Sequence, residues 1–165
     1  MERQPKAMTK NYLDILEESL IKKESVLDSL HVLSNKQAEV LGESEVSLEV
    51  FDQYMDEKDA YLEELDKLDE GFELLYEKIK AELLEHKEIY AEQIERLQQQ
   101  IQSIMDKSVS LQALESRNKE KVMGYLQNAK KNNGDNRRSS KVAYDYYKSM
   151  SRSNVIPSHF MDKKK

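Results

Sequence analysis

The chain has 165 residues and a formal net charge of −6, with 35% charged and 38% hydrophobic residues. That is the length of one domain, with or without a tail, and too little apolar material for a thick globular core. It contains no cysteine, which excludes a disulfide framework, a thiolate zinc site and a cysteine nucleophile, and fits a reducing compartment. No apolar stretch approaches the ~20 residues of a membrane span, and residues 1–10 lack the apolar centre of a signal peptide, so a soluble intracellular protein is expected.

Pro5 and Pro157 are the only prolines, and the four glycines are too sparse for a protein of tight hairpins. Glu, Lys, Leu and Gln dominate between them, all good helix formers. After a flexible N-terminus (1–10), a first helix is expected over about 11–41. Asn11 is its candidate cap, with Asp14 at the positive end of the helix dipole. Leu13, Leu20, Leu27 and Leu41 recur at sevens, with Leu16 and Leu30 between them and Tyr12, Val26, Leu33 and Val40 on the adjoining row. This is one broad apolar stripe. Gly42 stands where a left-handed C-terminal residue is expected, and Ser44 or Ser47 can start the next helix.

The second helix (about 46–85) carries the clearest pattern. From Leu48 through Phe51, Met55, Lys58, Leu62, Leu65, Asp69, Phe72, Tyr76 and Ile79 to Leu83 the steps alternate three and four, the 3.5 period of a supercoiled seam. Tyr54, Tyr61, Leu68 and Leu75 widen it. Lys58 and Asp69 interrupt it roughly 16 Å apart along the helix, so they cannot pair within it. Each needs water, a partner helix or a bend, and Leu68–Gly71 is a possible kink. The third helix (about 87–129) repeats the seam through Tyr90, Ile94, Leu97, Ile101, Ile104, Ser108, Leu111, Leu114, Asn118, Val122 and Tyr125. Periodicity alone leaves open a turn near Glu85–Lys87, a turn near Asp69–Gly71 or a straight run. One helix cannot cover its own stripe, and the turn near Glu85–Lys87, which gives two helices of about 40 residues each, is the one expected. The fold class is therefore all-α, an elongated antiparallel bundle of three long helices with coiled-coil-like seams.

From Lys130 the composition changes. Ten Lys or Arg against three Asp leave residues 130–165 at +7 and the first 129 at −13. Asn132-Asn133-Gly134-Asp135-Asn136 reads as a linker, and the basic tail as disordered when free. One island, about 140–151, holds Val142, Ala143, Tyr146, Tyr147 and Met150 at helical spacing, capped by Ser139 or Ser140. It is too short to stand alone, a candidate for folding on a partner.

Catalytic and metal signals are weak. His31, His86 and His159 lack metal-ligand spacing and read as solvated or capping histidines. No glycine-rich phosphate loop is present. Asp56-Glu57-Lys58-Asp59 and Glu63-Glu64 read as a solvated helix face, and the Glu82/His86 pair is unrepeated, unlike the carboxylate-bridged sites of bundles. No catalytic, cofactor-binding or metal-ligating residue is assigned. The seam polar residues Lys58, Asp69, Ser108 and Asn118 fix register, or else weaken one end of the bundle for a client.

The segment Asp66-Lys67-Leu68-Asp69-Glu70-Gly71-Phe72-Glu73-Leu74-Leu75-Tyr76 resembles the LDxGFExLY stretch of FlgN-like proteins from Gram-positive bacteria. Leu111-Gln112-Ala113-Leu114-Glu115-Ser116-Arg117-Asn118-Lys119 is similar to that family's LQxxExxNK stretch in the last long helix. Lys141–Tyr147 and Ser158–Lys165 resemble the family's terminal tail. The resemblance implies a cytoplasmic, non-enzymatic flagellar (type III) export chaperone without cofactors. Such proteins bind hook–filament junction (hook-associated) proteins, prevent their premature assembly and deliver them to the export gate. The family's substrate-binding region lies toward the C-terminus, which by position brings in Val122, Met123, Tyr125 and Leu126, then Val142, Tyr146, Tyr147 and Met150. A monomer is expected, with neither nucleic-acid binding nor stable membrane insertion. The alternatives are a FliT-like chaperone for the filament cap protein, a structural coiled-coil adaptor that dimerises through a seam, and a tail that binds nucleic acid or acidic lipid in a salt-dependent way.

Overall fold

The computed structural model describes residues 6–132, with side chains described as far as Asn128. Three helices follow one another: α1 (Ala7–Leu41), α2 (Leu48–Glu85) and α3 (Ala91–Asn132). They form an all-α bundle in which each helix is antiparallel to the next, so α1 and α3 run the same way. No described helix is long and apolar enough to cross a membrane.

α1 begins at Ala7, inside the stretch expected to be flexible, and Asn11 is not a cap. Lys6 occupies the cap position with extended backbone and no side-chain hydrogen bond. A tertiary contact does the capping instead. The Lys6 N–H donates to the Tyr90 hydroxyl at 3.1 Å, and that hydroxyl donates to Glu82 Oε2 at 3.1 Å. The Lys6 ammonium lies 3.6 Å from Glu82 Oε1, and Thr9 is buried. An orphan N–H of the first turn is thereby satisfied from the far side of the bundle.

Gly42 closes α1 with φ −86° and ψ −6°. This is right-handed backbone, so the expected left-handed cap does not form, and no described residue has positive φ. Its N–H donates to the Ala38 and Glu39 carbonyls, both at 3.1 Å, so carbonyls of the last turn are satisfied without a left-handed residue. Of the two candidate serines, Ser47 caps α2, its hydroxyl accepting from the Val50 N–H at 3.3 Å. α2 passes through Gly71 without a break. The chain turns after Glu85, in the expected region and not at Asp69–Gly71, and the turn runs from His86 to Tyr90. α3 starts four residues later than expected because Tyr90 buries its ring while its hydroxyl holds the clasp.

The seams fall inside. Leu13, Leu16, Leu30, Leu65, Leu97 and Leu111 are fully buried, and Phe51, Met55, Tyr76, Ile79 and Leu83 nearly so. Each such side chain contributes about 1.5–3 kcal/mol relative to exposure. Phe72 and Tyr76 stack with ring centroids 6.5 Å apart. α1 packs along both other helices, while the backbones of α2 and α3 hardly approach one another. Helix separation follows side-chain size at the contact, and the largest sealed side chains, Tyr76, Phe51 and Lys58, all belong to α2.

Polar pairs fix the register of α1 on α3. Asp14–Gln93, Glu17–Arg96, Glu24–Ser103, Asp28–Lys107 and His31–Ser110 each join residues 79 apart. A constant offset along two parallel helices is the flanking ladder of a coiled coil. Arg96 holds the Glu17 carboxyl below its ordinary range by hydrogen bonding, against the effect of burial, with Gln93 helping.

Candidate partner-binding site

The α3 segment implied by the resemblance lies at the end of the bundle where α1 passes into α2. The offset of 79 sets Leu41 opposite Glu120, so the last three turns of α3 extend beyond α1. Val122 and Leu126 turn into the core, 1% and 8% exposed, and spend their apolar surface on the bundle itself. Met123 and Tyr125 are half-buried, on either side of the exposed Gly124. Two of the four α3 candidates therefore remain reachable from outside. Val142, Tyr146, Tyr147 and Met150, the linker and the 140–151 island lie outside the described residues.

One step further in, a polar layer crosses all three helices. The Lys58 ammonium donates to Gln37 Oε1 and Glu115 Oε1, both at 2.6 Å. The Ser34 hydroxyl donates to the same carboxylate oxygen. Gln37 Nε2 donates to the Phe51 carbonyl at 3.2 Å, and Asn118 Nδ2 to the Ser34 carbonyl at 3.0 Å. Lys58, Ser34, Gln37 and Asn118 are all 0% exposed. Burial pushes the Lys58 ammonium down to about 8, with Glu115 acting in the opposite sense. A buried pair of this kind adds little net stability, but removing one partner leaves an uncompensated charge.

A second charged contact lies near mid-length. Lys23 donates to Asp69 Oδ1 at 2.5 Å, where a water-sized cleft is lined by Leu20, Leu68, Phe72, Ile101 and Ile104. Burial raises the Asp69 carboxyl above its usual range, with Lys23 opposing. Both seam charges that needed a partner helix have found one. Sequence reasoning missed their counterparts Lys23 and Glu115, together with Ser34 and Gln37.

Among the described residues, one group could hold a metal ion: Glu82, Glu85 and His86, whose ligand atoms lie within 4.8 Å of one another. Glu82 is already engaged by Lys6, Tyr90 and His86, so the trio belongs to the clasp. His31 Nε2 lies 3.3 Å from the Ser110 hydroxyl on the exposed α1–α3 face, and its Nδ1 faces Asn35. No protein-family model, curated protein or solved structure matches the chain.

Proposed function

We propose that this chain is a FlgN-like, cytoplasmic flagellar export chaperone, monomeric and non-enzymatic. It binds hook–filament junction proteins through the end of α3 and the segment that follows, keeps them from assembling, and hands them to the export gate. The observation that carries this reading is the incomplete cover over the last turns of α3. Met123 and Tyr125 remain half-exposed there, immediately before a segment whose Val142, Tyr146 and Met150 recur at helical spacing. Methionine and tyrosine are favoured at protein contacts. A client helix laid along this strip follows a recurring mode of recognition. The ordering cost of the segment keeps affinity moderate, which suits a carrier that releases its cargo.

The motif residues add support. Asp69 of the Gly-Phe segment pairs with Lys23, and Glu115 and Asn118 of the last-helix segment pair with Lys58 and Ser34. Three of the polar residues that carry the resemblance, Asp69, Glu115 and Asn118, join the helices.

Co-purification tests the reading. Residues 1–129 keep the described core, so helicity should persist while capture of a junction protein is lost. Undiminished capture by 1–129 removes the tail from the site. Capture of a filament cap protein in place of a junction protein, offered side by side, replaces this reading with the FliT-like one.

A further inference from the structure

Nearly all of the body's negative charge sits on one helix. α2 carries fourteen Asp or Glu against four Lys, a net −10, whereas α1 stands at −2 and α3 at +2. On α1 the acids Glu17 and Asp28 meet bases of α3. On α2, beside the pairs Lys23–Asp69, Lys80–Glu77 and Lys6–Glu82, acids recur in a row. Asp56, Asp59, Glu63, Asp66, Glu70 and Glu73 step three, four, three, four, three, and the same stepping reaches back to Glu49 and on to Glu77. At a period of 3.5 this is one stripe along the helix, and its members from 56 to 70 are exposed. Like charges three and four apart repel. Burial, with Asp56 and Glu63 adding to it, already raises the Asp59 carboxyl. α1 meets α2 through other rows: Lys23 on Asp69, Gln37 on Lys58, and Lys36 over the Tyr54 ring. Asp56, Asp59, Glu63 and Glu70, the acids on which the stripe rests, are all exposed on α2.

The chain beyond α3 has the opposite sign and a matching repeat. Residues 133–165 hold eight Lys or Arg against three Asp, and Arg138, Lys141, Lys148 and Arg152 fit the same three–four stepping, with Asp145 the one break. Geometry brings the two together. Lys58 against Glu115 sets the antiparallel register of α2 on α3, which puts Tyr125 opposite Leu48, so α3 runs about two turns past the start of α2. The chain therefore leaves α3 roughly 12 Å beyond Glu49, at the end of the bundle where the stripe starts, and the turn-forming Asn133-Gly134-Asp135-Asn136 can reverse it toward α2. From 138 to 152 the chain spans roughly 21 Å as a helix or up to about 50 Å extended. The stripe from Glu49 to Glu77 is roughly 42 Å long.

We propose that the basic segment Arg138–Arg152 docks reversibly along the acidic stripe of α2 in its own molecule, running parallel to α2 from that helix's first turns. Exposed pairs are individually weak and screened by salt, so the docking is collective and yields to a competitor. The same segment serves the export-chaperone reading, which makes stripe and client rivals for it. The test omits the client, so that failure here leaves that reading standing.

Because the chain has no cysteine, Ala60→Cys beside the stripe and Ser149→Cys in the segment allow two dyes to be placed on the full-length protein. Energy transfer should be high at about 0.01 M salt, where the screening length is about 30 Å, and collapse at about 1 M, where it is about 3 Å. The exposed triple change Asp56→Lys, Glu63→Lys and Glu70→Lys should abolish transfer at low salt with helicity kept. Adding Arg138→Glu, Lys141→Glu and Lys148→Glu should restore it. Transfer indifferent to salt and to both charge reversals overturns the proposal. So does transfer that grows with protein concentration, because the occupant is then the segment of a second copy.

Discussion

The two ends of the bundle are closed by different means. At the α2–α3 turn, Tyr90 and Leu83 seal an apolar end, and a clasp of Lys6, Tyr90 and Glu82 pins the start of α1. At the opposite end, Lys58, Glu115, Gln37, Ser34 and Asn118 cross the core, and α3 continues past α1. Apolar contacts tolerate small slips, whereas hydrogen bonds of fixed direction do not. The polar layer therefore joins the ladder along α1 and α3 in setting which residue faces which, and the last turns of α3 extend past α1. The two buried ion pairs sharpen the contrast. Lys58–Glu115 is sealed, at 0% and 4% side-chain exposure, while Asp69 of the Lys23–Asp69 pair is 23% exposed.

The largest effect should come from breaking the sealed layer. Lys58→Met leaves the Glu115 carboxylate buried without its cation and should cost about 3–5 kcal/mol in urea unfolding. Adding Glu115→Leu should recover most of that loss. A double variant no more stable than the single one would show that the layer matters through packing alone.

Next comes pH. The folded-state value of Lys58, about 8, lies below its ordinary 10.5, so the unfolded chain binds more protons between the two. The stability linked to this group is fully present above pH 10.5 and is lost as pH falls through about 8. The upper limit is roughly 3 kcal/mol. Tyr76, pushed up to about 12 by burial and by Glu77 and Glu73, works in the opposite sense above pH 10. Parent minus Lys58→Met, followed from pH 7 to 10, isolates the lysine. A flat difference contradicts its depression.

Breaking the half-open pair should cost less. Lys23→Met should lose about 1–2 kcal/mol, between the surface and buried limits. A loss equal to that of Lys58→Met erases the distinction between the two layers. The smallest effect is a gain. A Cβ at Gly71 would meet nothing within 4 Å, so Gly71→Ala should raise stability by about 0.5–1 kcal/mol. A lower melting temperature would show that the mid-helix glycine serves packing after all.

Much of this was legible in the residues. The three–four stepping from Leu48 to Leu83 marked the buried face of α2, with only Leu48 and Asp69 left half-covered. The isolation of Lys58 and Asp69 within their helix announced partners elsewhere. The partners are not legible as such because they are polar residues set inside apolar rows. Ser34 follows Leu27 by seven, Lys23 follows Leu16 by seven, and Gln37 follows Leu30 by seven. From Leu111 a step of three lands on Leu114 and a step of four on Glu115, and both are buried. The start of α1 was not locally legible, because its cap is the hydroxyl of a tyrosine 84 residues away. Of the α3 candidates, periodicity put Val122 and Tyr125 alike in the seam, but only the bundle's end geometry seals one and leaves the other half-covered.

The most direct measurement of the central claim is amide hydrogen exchange on the full chain, alone and with a hook–filament junction protein. Residues 108–118 should be strongly protected in both states, with new protection on binding confined to residues 121–128 and 138–152. Protection that appears at the α2–α3 turn instead, or no change in the last turns of α3 while the junction protein is bound, would contradict it.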